Sequence, residues 1–222
     1  MTNNEIISYI YKGRNTIKDK KDNSIIVKLL EKLGNPQDNL KFIHITGTNG
    51  KGSTTTMMAN VLKNSGYKVG KFISPFIISF NERIQINNVF ITDEELEEYI
   101  KIIDPIITDM ESNGEAPNGF EIITAIAFMH YNKNNCDIVC LEVGMGGRLD
   151  PTNVITTTIL SIITVVDFDH TKFLGNTLQE IAKEKCGIIK KDKITITYPM
   201  QDKSVINTIR KTSFFLVVIL QF

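Results

Sequence analysis

Ile43-His44-Ile45-Thr46-Gly47-Thr48-Asn49-Gly50-Lys51-Gly52-Ser53 is the stretch that decides how this chain folds. Phe42 to Thr46 is a β-branched, apolar run that reads as a buried strand. It breaks into a loop with three glycines, one lysine and a closing serine. Thr54, Met57, Met58, Val61 and Leu62 then recur at helical spacing. A strand, a glycine loop and a helix start make a cradle for phosphate. Glycines let backbone N–H groups point at an anion, and the helix N-terminus adds the positive end of its dipole. Lys51 can reach terminal phosphates, and the Ser53 hydroxyl can face Mg²⁺. The spacing, G-x-x-G-K-G-S, is shorter before the lysine than G-x-x-x-x-G-K-[ST] and carries a glycine after it. A purely structural glycine turn is the competing reading. The strand on one side and the helix on the other argue against it.

Working outward, residues 4–12 are expected to form a short helix and residues 13–23 a polar, lysine-rich exposed loop. Asn23 or Ser24 opens a helix with Ile25, Ile26, Leu29, Leu30 and Leu33 on one face, closed by Gly34 with Pro36 beyond. After Gly66, Lys68–Ile73 is a second strand. Residues 74–81 form a loop with exposed aromatics. Arg83–Ile86 and Val89–Ile91 flank Asn87-Asn88 as a hairpin. Thr92 and Glu95 make a capping box for a helix to about Ser112, which Pro105 should kink or interrupt. Phe120–Tyr131 is an apolar helix and Asp137–Val143 a buried strand, followed by the glycine loop Gly144-Met145-Gly146-Gly147. Thr157–Val166, a helix over Leu178–Ile189, a strand over Lys193–Thr197, a helix over Lys203–Lys211 and an apolar run over Phe214–Leu220 complete the chain.

Alternating helices and continuously apolar strands predict an α/β fold, a mostly parallel sheet of phosphate-loop type flanked by helices, with a small β-hairpin excursion. There is no internal repeat, low-complexity segment or clear domain boundary in the 222 residues, which suffice for a sizeable core. Formal charge is zero, so nothing global draws in nucleic acid or an anionic membrane, and no apolar stretch is long enough to span a bilayer. The N-terminus has no signal-peptide pattern, and three cysteines without metal-ligand spacing suit a reducing, cytoplasmic setting.

In open parallel sheets ligands bind at the carboxyl ends of the strands. Here those ends carry the phosphate loop, Ser74, Glu142, and Asp167, Asp169 and His170. A carboxylate closing the strand Ile138-Val139-Cys140-Leu141 is costly to bury unpaired, and a metal ion is its natural partner; capping a neighbouring loop is the alternative. His170 gains weight only from its place at a strand end. Lys185, beside Lys183 and Glu184, reads by default as part of a solvated face.

Taken together, Thr46 to Ser53 resembles the nucleotide loop of the Mur ligase superfamily. Ser74-Pro75, Phe80 to Ile84, Leu141 to Asp150, Asp169-His170-Thr171 with Phe173-Leu174-Gly175, and Glu184 to Ile188 resemble its folylpolyglutamate synthase and dihydrofolate synthase branch. The likeness runs from about Leu29 to about Pro199, with every motif in the family's order. It implies that Asn49, Gly50, Lys51, Gly52 and Ser53 bind ATP, and that Ser74, Glu142 and His170 are Mg²⁺ ligands. It implies that Lys185 is carbamylated, turning an amine into a carboxylate able to bind Mg²⁺. Phe120, Glu121, Leu149, Asp150 and Pro151 match positions lining the pterin pocket, and Asn81 and Arg83 match the loop that reaches toward folate.

The implied reaction is ATP-dependent ligation of L-glutamate to a folate or dihydropteroate carboxylate through an acyl phosphate, with Lys51, Lys185 and His170 as catalytic groups, in a family usually monomeric. Two departures stand out: Phe76 replaces a histidine of the branch, and the C-terminal glutamate-ligase domain is absent. Residues 1–212 are therefore expected to be an incomplete ATP-binding domain and residues 213–222 an apolar tail outside the family pattern. This arrangement suggests a truncated or frame-shifted product, inactive on its own. Two alternatives from other classes are a non-catalytic ATP- or pterin-binding module and a free-standing phosphate-loop kinase or ATPase.

Overall fold

The computed structural model describes residues 1–12, 22–213 and 215–218, the last four by their backbone. In chain order the elements are α1 (Asn3–Tyr11), α2 (Ser24–Lys32), β1 (Phe42–Thr46), α3 (Lys51–Asn64), β2 (Val69–Phe72), β3 (Ile84–Ile86), β4 (Val89–Phe90), α4 (Asp93–Ser112), α5 (Gly119–Lys133), β5 (Ile138–Glu142), β6 (Thr158–Ile163), α6 (Thr171–Leu174), α7 (Leu178–Cys186), β7 (Ile194–Thr197), α8 (Lys203–Thr212) and β8 (Phe215–Val218). The eight strands form one sheet in the order β4-β3-β2-β5-β1-β6-β7-β8. From β2 to β8 all pairings are parallel; β3 and β4 add antiparallel. The hairpin thus extends the sheet edge, through the turn Asn87-Asn88, whose φ values of 51° and 67° suit a primed turn.

The central strands are buried on both faces, so their alternate residues feed two cores. Phe42, Phe72, Val139 and Leu141 pack with α1, α2, α4 and α5. On the same side of the sheet Ile163 packs with α7 and α8. Ile43, Ile45, Val69, Cys140 and Ile162 face the other way, toward α3. Each fully buried side chain of this kind contributes about 1.5–3 kcal/mol, and Phe42, Ile45 and Phe72 are all at 0% exposure.

Several sequence expectations need revision. α4 runs unbroken through Pro105. Pro105 lies on the exposed side, where a carbonyl deprived of its partner is met by water, while Ile103, Ile107 and Met110 hold the buried stripe. α7 stops at Cys186, short of Ile189: the N–H groups of Gly187, Ile188 and Ile189 bond three residues back in a tightened last turn, and Gly187 is pressed so closely against Arg148 that a Cβ would lie 2.4 Å from the Arg148 Cα. The aromatics of the 74–81 loop turn inward, Phe80 being fully buried, and Ile77 and Ile78 point out instead. On α3, Met57 and Val61 face solvent, and the inward residues are Thr55 and Ala59, flanked by Met58 and Leu62. Residues 13–21 of the expected lysine-rich loop lie outside the described residues. The cysteines are all free and buried, as a cysteine acting as a small hydrophobe would be. Among the described residues no helix is long and apolar enough to cross a membrane.

Candidate active site at the strand ends

The phosphate loop leaves β1 at Gly47 and re-enters helix at Lys51. Gly50 takes φ 83°, a left-handed conformation that suits glycine, and so turns the chain into α3. Gly47 is required for space: a Cβ there would lie 1.8 Å from Thr164 Oγ1. The loop is buttressed from β6 and the segment after it. Thr164 Oγ1 donates to the Asn49 carbonyl at 2.7 Å and lies 3.2 Å from that of Thr46, and the Thr48 N–H donates to Val165 O at 2.6 Å. The Thr48 hydroxyl donates to Asp167 O and accepts from Asp167 N–H, at 2.9 and 3.0 Å. Asn49, Gly50 and Ser53 are exposed at the mouth of the cradle.

Two lysines converge on it. Lys51 Nζ donates to the carbonyls of Gly47 and Thr48 at 3.0 and 3.2 Å. Lys185, only 1% exposed, donates to the same Gly47 carbonyl at 2.8 Å. The reading of Lys185 as a solvated surface residue is therefore wrong. Burial, then the nearby charge of Lys51, lowers its pKa to about 8, against an opposing pull from Asp169.

Glu142 ends β5, next to β1. Its Oε2 accepts from the Ser74 N–H at 3.1 Å, and a Cβ on Gly52 would sit 3.5 Å from that oxygen, so the carboxylate lies against the first turn of α3. Burial raises its pKa to about 7, opposed by the Ser74 bond and by the charges of Lys51 and Arg83. A buried carboxylate with a serine beside it and a phosphate cradle in front offers hard oxygen donors of the kind Mg²⁺ prefers. Mg²⁺ commonly takes one or two carboxylates and completes its shell with substrate phosphate and water. Among the described residues there is no cluster of three His, Cys, Asp or Glu side chains placed to hold a metal ion. His170 sits in the loop after β6 at φ 46°, half-exposed, and its Nε2 lies 3.5 Å from Asp169 Oδ1. Through Thr48 and Asp167 that loop is tied to the phosphate loop.

The remaining expected site residues flank this edge. Phe120 leans on Phe72 with ring centroids 5.8 Å apart, and its ring and Asp150 Oδ2 both crowd Gly144. Glu121 spends its carboxylate on the N-terminus of α5, accepting from Asn118 N–H at 2.9 Å. Asp150 Oδ2 accepts from Met145 N–H and its Oδ1 from Thr152, so it braces the second glycine loop; Leu149 and Pro151 stand on either side of it in the chain. Asn81 is spent on structure: its amide donates to Ile91 O and Asp93, and its Oδ1 accepts from Asn3. Arg83 is buried under Phe76 and Phe80, with its guanidinium carbon 5.3 and 5.6 Å from their ring centres, and its Nε and Nη1 have no partner. Burial lowers its pKa, opposed by Tyr11 and Glu142. A buried guanidinium with unused donors is a receptor for an anion. An apolar cavity of about 300 Å³ opens beside Asn49 and Gly50, walled by Ile162–Val165 and Ile196–Pro199. Thr48, Thr164 and Thr152 were missed in the sequence because a threonine's role here depends on partners more than a hundred residues away or across a turn.

A parallel sheet with a glycine cradle, two convergent lysines and a buried acid at its carboxyl edge defines a phosphate-loop nucleotide-binding domain. The chain belongs to the Mur ligase family, matching the Mur ligase middle domain over residues 45–218. It is 41% identical over 181 residues to the dihydrofolate synthase/folylpolyglutamate synthase of Bacillus subtilis, covering 80% of this chain and 42% of that one. With the folylpolyglutamate synthase of Lacticaseibacillus casei it shares 40% over 199 residues, covering 89% and 46%. It thus spans less than half the length of these relatives. Among solved structures, the apo form of L. casei FPGS superposes with a TM-score of 0.92 at 35% identity, over 98% of this chain and 54% of that one. An FPGS–AMPPCP–folate complex superposes with 0.91 at 36%, over 97% and 54%.

Proposed function

We propose that this chain is the nucleotide- and metal-binding part of an ATP-dependent ligase that joins L-glutamate to a folate or dihydropteroate carboxylate. The observation that carries the reading is the seating of Glu142 against the first turn of α3, with Lys51 and Lys185 both drawn to the Gly47 carbonyl. Asn49 to Ser53 hold the triphosphate by backbone N–H groups and the helix dipole, and the apolar cavity beside Gly50 takes the base. Glu142 and Ser74, with His170 from the neighbouring loop, are the residues that would hold Mg²⁺. When bound, Mg²⁺ offsets charge on the transferring phosphoryl group. Lys51 releases its loop carbonyls and pairs with the same group. Lys185, with a depressed pKa, has a larger neutral-amine fraction than an ordinary lysine, which favours CO₂ addition; the resulting carbamate would supply a negative charge able to bind a divalent cation. Phe120, Leu149, Asp150 and Pro151 flank the pterin, and Arg83 supplies unused donors to a substrate anion. The substrate carboxylate attacks the γ-phosphorus to give an acyl phosphate and ADP, and the glutamate amine then displaces phosphate. Positioning supplies most of the acceleration.

Residues 1–212 are the ATP-binding domain in this reading, and glutamate and part of the nucleotide are contacted by a second domain like that of the longer relatives. Calorimetry with Mg·AMPPCP and with dihydropteroate, alongside a glutamate-addition assay, tests it. The expected result is binding of the nucleotide with little or no product from this chain alone. Absence of nucleotide binding in Mg²⁺, or full ligase turnover by the isolated chain, would contradict it.

A further inference from the structure

His44 lies in the middle of the central strand and is fully buried, too deep to touch any ligand. Burial, with the charge of Lys190 nearby, lowers its pKa to about 3, so the ring is neutral. Its Nε2 is 2.9 Å from Thr152 Oγ1, while Nδ1 has no partner. The Thr152 hydroxyl has one proton, and it is given to Asp150 Oδ1, which also accepts the Thr152 N–H at 2.9 Å. Only a lone pair of Thr152 is left to face the imidazole, so the ring must carry its proton on Nε2. The other oxygen of Asp150 accepts the Met145 N–H at 2.9 Å and lies beside Gly144. A polar chain therefore runs from mid-strand to the glycine loop that follows Glu142: the imidazole N–H donates to the hydroxyl, the hydroxyl to the carboxylate, and the carboxylate accepts the loop's backbone amide.

We infer that His44 is a positioning residue for the substrate side of the site, fixing through Thr152 the rotamer of Asp150 that pins the Gly144–Gly147 loop. This rests on the proposed function only in assigning the Asp150 side to dihydropteroate. An apolar residue of similar size would fill the space in β1, so packing alone does not explain an imidazole that leaves its Nδ1 buried and unpaired, at a cost of about 1–3 kcal/mol. The cost is accepted where a directed donor is needed.

Two measurements on the full chain test this. The first is titration of His44→Leu, His44→Gln and Thr152→Val with Mg·AMPPCP and, separately, with dihydropteroate. A glutamine amide can replace the Nε2–H donor; leucine cannot. The expected pattern is a roughly tenfold weaker Kd for dihydropteroate in His44→Leu and Thr152→Val, the loss of about one directed hydrogen bond. His44→Gln should recover most of it, and the nucleotide Kd should stay within about twofold throughout. Equal losses in the leucine and glutamine variants, or equal losses for both ligands, would reduce His44 to a packing residue. The second is ¹⁵N NMR of the imidazole, which should report the Nε2–H form at pH 7 and a shift of that proton in Thr152→Val. An Nδ1–H ring, or a signal indifferent to Thr152→Val, overturns the relay even if wild type binds no dihydropteroate. That last outcome would count against the functional assignment instead.

Discussion

Glu142→Gln should make the metal-free protein more stable above neutral pH while removing its response to Mg²⁺ and nucleotide. Glu142 is 3% exposed, and its pKa rises from 4.5 to about 7, burial being the largest cause. A folded-state acid that holds its proton more tightly than the unfolded chain lets the folded state bind more protons between those two values. Stability is therefore fully present below 4.5, falls as pH rises, and is lost once pH passes about 7. At about 1.4 kcal/mol per pH unit the loss amounts to about 3 kcal/mol. Glutamine keeps an oxygen for the Ser74 N–H and carries no charge, so it should be flat across the same window. Urea unfolding in chelator at pH 5 and pH 8.5 isolates the difference, since all other titrating groups are common to both proteins. Wild type should lose about 3 kcal/mol more than Glu142→Gln between the two pH values. At pH 8.5, Mg·AMPPCP should restore wild type and leave the variant unmoved. Parallel pH slopes for the two proteins would show that the Glu142 carboxylate is not paying a burial penalty, and the case for a cation at that position would fail with it.

Three other changes probe separate parts of the edge. Gly47→Ala places a Cβ 1.8 Å from Thr164 Oγ1 and should destabilise by about 2–4 kcal/mol with loss of nucleotide affinity, read by thermal melts and titration; an unchanged melting point would show that the loop has room the packing denies. Lys185→Arg keeps a cation that cannot add CO₂, so a carbamate resonance seen with ¹³C-bicarbonate at pH 8 should vanish in it, and its persistence would place the carbamate on another lysine. Arg83→Met removes a buried guanidinium with two unpaired donors and should leave the free protein as stable or about 1–2 kcal/mol more so by urea unfolding, while weakening dihydropteroate; a large loss of stability would mean that Arg83 is held by partners of its own.

The nucleotide half of this site was legible because its signal is local. Strand, glycines, lysine and helix start lie within a dozen residues, and backbone conformation does most of the work there. Ser74 and Glu142 were legible because they close apolar strands, where a polar residue stands out. The character of Lys185 was not: its neighbours in sequence are charged, and only the fold drives its ammonium under the Gly47 carbonyl. α3 shows the same limit. Its helical spacing of Thr54, Met57, Met58, Val61 and Leu62 was legible, but not its facing: Met58 and Leu62 pack inward beside the buried Thr55 and Ala59, while Met57 and Val61 stay exposed. The local roles of Asn81 and Glu121 were not legible either: Glu121 accepts the Asn118 N–H at the start of α5, and Asn81 joins Ile91 and Asp93 to Asn3 of α1. Pro105 does not interrupt α4, because a lost backbone bond on a wet face matters little when the opposite face is anchored.

Glu82 accepts the N–H groups of Ile77, Ile78 and Ser79 at once, at 2.9, 3.0 and 2.9 Å, and so gives the loop its shape from a single carboxylate behind it. The two isoleucine side chains, 88% and 89% exposed, add nothing to that shape. Residues 77 and 78 are thus free to vary without disturbing the scaffold, because the clasp that shapes the tip is made of backbone amides and one acid, and neither depends on which side chains the tip carries.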